Sequence, residues 1–132
     1  MKKITGAIVL SLMMGLILSA MAQQETESAR STQLKATARQ VLEMLVKEDF
    51  AGVSAKFDSK LSENLPAAKL QEFWSTVVSD AGPFQKISDT QVKEKKDKVG
   101  IFMKCKFEKK ELTARVIFNE QNQIIGLSLD DQ

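Results

Sequence analysis

The run VGIFMKCKFEKKELTARVIF, residues 99–118, decides the fold. Val99, Ile101, Met103, Cys105 and Phe107 alternate, with Lys104, Lys106 and Glu108 in the other phase. Past Lys109-Lys110 the alternation resumes, with Leu112, Ala114, Val116 and Phe118 set against Thr113 and Arg115. Successive side chains of a strand point to opposite faces, so period two with one polar phase predicts antiparallel strands with one buried face and one wet face. Residues 84–95 form a polar strand before this pair, with Ile87 and Val92 as its apolar points, and Ile125, Leu127 and Leu129 form a strand after it. The connections are short, around Asp97, around Lys109-Lys110 and over 119–123, where Asn122 suits a left-handed turn position.

Upstream the period becomes helical. Leu34, Ala38, Val41, Leu42 and Leu45 mark one face of a helix over 33–48, with Ser31 or Thr32 as its cap. Asp49 caps a short second helix carrying Phe50, Val53 and Phe57, and 58–64 is a polar connection pinned by Leu61 and Leu65. Pro66 opens a third helix, whose apolar face is Leu70, Phe73, Trp74, Val77, Val78 and Ala81. Gly82-Pro83 ends it, because neither residue continues a helix. Helices first and strands second predict an α+β fold: N-terminal helices packed on a four-stranded antiparallel sheet. Such a meander twists strongly, and wrapped around a long helix it makes a cone with a concave interior.

The first 22 residues read as a targeting segment rather than as part of this domain. Lys2 and Lys3 precede an uncharged apolar run that ends in Ala20-Met21-Ala22, the small-x-small pattern of a signal-peptidase site, so cleavage is expected between Ala22 and Gln23. A membrane anchor usually needs about 20 apolar residues, and the run from Ile4 to Met21 includes Thr, Gly and Ser. Periplasmic or secreted localisation follows, and residues 23–32 read as a flexible linker before a single domain over 33–132. The whole chain has 19 Lys+Arg and 17 Asp+Glu. Two lysines and no acid leave with the leader, so the mature domain is neutral and gives no electrostatic case for nucleic acid or a membrane surface.

Composition excludes several chemistries. The 132 residues contain no His, no Tyr and one Cys. A Ser-His-Asp or Cys-His unit, an imidazole metal site and an internal disulfide are therefore all impossible. A cone-fold isomerase needs a carboxylate base and a second donor, usually Tyr or a protonated acid. Asp49 and Asp58 have ready roles as caps or turn residues, and no calcium-loop spacing occurs. No catalytic residue, metal or cofactor is expected.

The stretches LVKEDFAGVSAKFD, LPAAKLQEFWSTVVSDAGPFQKI and GIFMKCKFEKKELTARVIFNEQNQIIGL together resemble a bacterial family of domains of unknown function, number 3887 of its series. Its members resemble the nuclear-transport-factor-2-like and cystatin-like α+β cones. The landmarks here are Asp49 and Phe50, Phe57 and Asp58, Leu65-Pro66 with Trp74, Cys105 and Gly126, and the likeness covers about residues 35–129. The family's Asp/Asn-Gly turn is replaced by Asn119–Gln123. Members often precede an α/β-hydrolase domain. This chain has no Gly-x-Ser-x-Gly elbow, so the resemblance implies the accessory part alone.

The expected function is an exported, non-catalytic binding or accessory domain for a small apolar molecule or a protein. Phe57, Phe73, Trp74 and Met103 are the candidate lining of a pocket in the cone. Cys105 reads as a buried structural thiol. The alternative is an interaction module without a pocket, acting as a homodimer through the open sheet face. Phe102 and Ile117 stand there in an otherwise polar phase, beside Thr113, Arg115 and Ile124. The charged hairpin Lys93–Lys98 reads as a solvated edge or as a docking site for an acidic partner.

Overall fold

The computed structural model describes residues 29–131. The chain divides into two units at Gln33 and Leu34, and the second runs from Leu34 to its end. Ala20, Ala22, Gln23 and the rest of the expected leader lie outside the described residues, as do 24–28 of the expected linker. Residues 29–33 are helical. This corrects the expected linker at its described end: Ala29 and Arg30 are good helix formers, and Ser31 and Thr32 stand within a helix rather than capping one.

In the second unit α1 covers 34–46 and buries Leu34, Ala38, Val41, Leu42 and Leu45, the stripe read from the sequence. It stops two residues earlier than its periodicity predicts. Glu48 takes φ 61°, the Glu48 N–H donates to the Leu45 carbonyl, and the Asp49 N–H donates to the Met44 carbonyl. This is a Schellman ending with glutamate where glycine is usual, so nothing local in the sequence marks it.

Helix α2, Phe50–Ser54, starts as expected, with the Gly52 N–H donating to Asp49 Oδ1 at 3.1 Å. Residues 59–64, read as a polar connection, are helix α3, Ser59–Asn64. Asp58 caps it, accepting from the Leu61 N–H at 2.9 Å. A helix of six residues without a buried side chain has no periodic stripe to detect; the cap and its tertiary seat define it. Helix α4, Ala67–Ala81, buries Leu70, Trp74, Val77 and Ala81 and ends at Gly82, whose φ of 83° is costly for any residue with a Cβ.

Strands β1 (Phe84–Glu94), β2 (Val99–Phe107), β3 (Glu111–Phe118) and β4 (Ile124–Asp131) form one antiparallel sheet in sequence order. The α+β class is as expected. One face of the sheet carries Ile101, Met103, Cys105, Phe107, Leu112, Ala114, Val116 and Phe118 into a core shared with α1, α2 and α4. Strict alternation fails at register shifts. One between Ile87 and Asp89 lets Ile87 and Val92, an odd number of residues apart, both pack on the core. Another sets Phe118 opposite Ile124 but Ile117 opposite Gly126, leaving Ile125 as the extra residue.

The second shift corrects the expectation for Ile124, which is fully buried rather than part of the open face. The Ile124 N–H donates to the Lys56 carbonyl and the Asp58 N–H donates to the Ile124 carbonyl, both at 2.9 Å. These bonds form a parallel bridge between Phe57 and Ile124 and tie the α2–α3 joint to the start of β4. In the β3–β4 turn just before Ile124, Asn122 adopts φ 62°, and Asn119 Oδ1 accepts from the Gln121 and Gln123 N–H groups.

Candidate functional site

Among the described residues, Phe57, Phe73, Trp74 and Met103, expected to line one interior pocket, are not brought together around a hollow: Trp74 and Met103 border different ones. Met103 faces Ala38, Val41, Leu42 and Leu45 of α1 in a space with no room for a water-sized guest. Phe57 is buried beside Ile124 by the 57–124 bridge. Trp74 packs on Phe107 with ring centroids 6.0 Å apart, and Phe84 meets the same ring edge-on at 5.5 Å. Phe73 lies half-buried at the margin of this core. Aromatic and α1 side chains thus pack on the inner face of the sheet. Trp74 borders an outer hollow of about 500 Å³, shared with Val46, Val78, Pro83 and Phe84.

The open face of the sheet differs. Phe102 of β2 pairs with Arg115 of β3 and with Gln91 of β1, and Gly100 pairs with Ile117 and with Lys93. Directly opposed residues on one face stand about 5 Å apart at Cβ, so three strands bring these side chains together. The Lys93 ammonium lies 4.8 Å from the Phe102 ring centroid and the Arg115 guanidinium carbon 5.4 Å. Both are within cation–π range. Phe102 and Ile117 are half-buried and lean over Gly100, which is buried beneath them. A Cβ on Gly100 would come within 2.9 Å of Phe102 Cε1 and 3.2 Å of Ile117 Cδ1, so this close approach requires glycine.

Lys93, Lys95, Lys98, Gly100, Phe102, Arg115 and Ile117 enclose a hollow of about 460 Å³. No carboxylate is among its lining. A smaller hollow of about 200 Å³ continues along the face, sharing Lys93 and Phe102 and adding Asp89, Gln91, Lys104 and Thr113. The sequence-predicted trio Phe102, Arg115 and Ile117 is therefore brought together. The lysines of the hairpin, read as a separate feature, belong to the same site. Their nearness to Arg115 depends on β1–β2–β3 register, which no local pattern reveals.

Other reactive groups are accounted for by packing. Cys105 is wholly buried and its Sγ donates to the Met103 carbonyl. Burial pushes its thiol up to about 11, partly offset by a hydrogen bond from the Ala114 backbone. Asp49 and Asp58 are engaged as helix caps. Lys110 holds Asp80 and Asp131 together, and hydrogen bonds to these two carboxylates raise its pKa above the ordinary lysine value. Among the described residues no group of three or more His, Cys, Asp or Glu is placed to hold a metal ion. Among the same residues no helix is long and apolar enough to cross a membrane.

The profile of the family described as Protein of unknown function (DUF3887) matches residues 38–127, from the middle of α1 into β4. The chain belongs to that family. No curated protein and no solved structure matches it.

Proposed function

We propose that this DUF3887 member is an exported, non-catalytic binding domain whose working surface is the open face of the sheet. The observation that carries this reading is the cluster of Phe102, Ile117, Arg115 and Lys93 around a hollow of about 460 Å³, set against an interior already filled by its own side chains. Pockets that hold small molecules have volumes of roughly 300–1,000 Å³ with an apolar floor and a few convergent polar groups. The engagement of Asp49 and Asp58 as caps and the raised pKa of the buried Cys105 support a non-catalytic role. The leader, with Ala20-Met21-Ala22 at its end, supports export.

A second reading is a homodimer through the same face. Its support is that Phe102 and Ile117 are half-buried apolar residues side by side on a sheet face that is otherwise polar.

Native mass spectrometry of the protein purified after export tests both. The mass of residues 23–132, with a bound molecule or a second copy lost in Ile117→Lys and Phe102→Ala variants, is the expected result. A bound species retained by both variants would remove the open face from consideration. The mass of the uncut chain would do the same for the leader.

A further inference from the structure

Resting on the open-face reading, we propose that the 460 Å³ hollow binds a soluble organic anion: one carboxylate or sulfonate joined to a short apolar body. Three features point to this class.

The first is charge. Lys93, Lys95, Lys98 and Arg115 converge on one hollow whose lining contains no acid. Like charges gathered in a concavity repel one another and concentrate an anion there. This excess is local, since the whole chain carries a formal charge of only +2.

The second is pre-organisation. Long cationic side chains normally lose rotamer freedom on binding, which weakens affinity. Here Lys93 and Arg115 are already drawn to the Phe102 ring at 4.8 and 5.4 Å. Arg115 offers a planar set of donors suited to a carboxylate, while the lysines act as point charges beside it.

The third is the floor. Phe102 and Ile117 are half-buried apolar residues in a phase that is otherwise polar, and Gly100 lets them close over the sheet. A purely inorganic anion would leave that surface unused, and a neutral apolar molecule would bring no negative charge to a lining with four cations and no acid. The concave shape and small volume favour a molecule over a membrane surface.

Octanoate is the probe, with 1-octanol as the neutral control, titrated into the isotopically labelled full protein and followed by backbone amide shifts. Saturable movement of Gly100, Phe102, Arg115 and Ile117 with octanoate, and none with octanol, is expected. Arg115→Gln should weaken binding about tenfold, the equivalent of one charge-assisted contact. Lys93→Gln is the second variant, and it should weaken binding several-fold. Equal response to octanol, or movement centred on the hollow beside Trp74, would overturn the proposal. So would binding only to phosphatidylglycerol vesicles, or dimerisation that accounts for every shift. If octanoate fails while the species captured after export still depends on Phe102 and Ile117, the surface stands and the ligand class falls. If neither depends on this face, both fall.

Discussion

The guanidinium of Arg115 on β3 lies over the ring of Phe102 on β2, its carbon 5.4 Å from the centroid, across a directly paired position of the ladder. Lys93 approaches the same ring from β1. One aromatic side chain thus gathers cations from both neighbouring strands, and glycine beneath it makes the arrangement possible.

Gly100→Ala tests that dependence. Its Cβ would sit 2.9 Å from Phe102 Cε1 and must push the ring away. Expected is a loss of the ring-current shifts on the Arg115 side-chain protons, read by NMR, as the ring moves off its present position. Unchanged Arg115 shifts would show that the ring position does not depend on the glycine.

Phe107 is the hub of the aromatic core, touching Trp74 and Phe84 and almost wholly buried. Phe107→Ala should cost roughly 3–5 kcal/mol, combining lost transfer energy with the cavity left behind. Trp74 is the single tryptophan, so its emission should shift to the red in the folded variant. Denaturant melts that change by less than about 1 kcal/mol would contradict this packing.

The two helix ends make opposite predictions. Glu48 holds φ 61°, so Glu48→Gly should stabilise the protein by about 0.5–1 kcal/mol. Gly82 holds φ 83° with Glu108 Cβ only 2.9 Å from where a Cβ would stand, so Gly82→Ala should destabilise by more than about 1 kcal/mol. Chemical denaturation reads both signs.

Cys105 predicts an alkaline response. Its folded thiol titrates at about 11 against an ordinary value of 9.0. Between those values the unfolded chain has lost the proton and the folded chain keeps it, so stability falls as pH rises from about 9 towards 11. Cys105→Ala should flatten that slope between pH 9 and 10, whatever its absolute stability. Lys110, also raised, acts with the same sign only above the ordinary lysine value of 10.5. Native Cys105 should resist a thiol reagent at pH 8 until the protein unfolds.

Helices α1 and α4 and strands β2 and β3 are legible in the sequence because each carries a repeating local signal; α2 is marked by its Asp49 cap and β1 only by isolated apolar points. The stripes on α1 and α4, the alternation over 99–107 and 111–118, the Asp49 cap and Gly82-Pro83 are all short-range features. Helix α3 has no stripe, and the end of α1 has no glycine, so neither announces itself. The candidate site was half legible. Phe102 and Ile117 stand out as apolar residues in a polar phase, but an apolar interior does not reveal whether it is hollow. Met103 and Trp74 read equally well as lining or as filling, and packing against α1 and Phe107 makes them filling.

By itself, then, the sequence determined the class of fold, the face of each long element and the chemistries that are absent, because these depend on residue type and on periods of two or 3.6. The tertiary structure alone decided that Ile124 enters the core and that Lys93, Phe102 and Arg115 form one site. Both depend on strand register and on the bulges that shift it. Register is set by hydrogen bonds between distant segments, such as Ile124 with Lys56 and Asp58, and no periodicity along the chain encodes those partners.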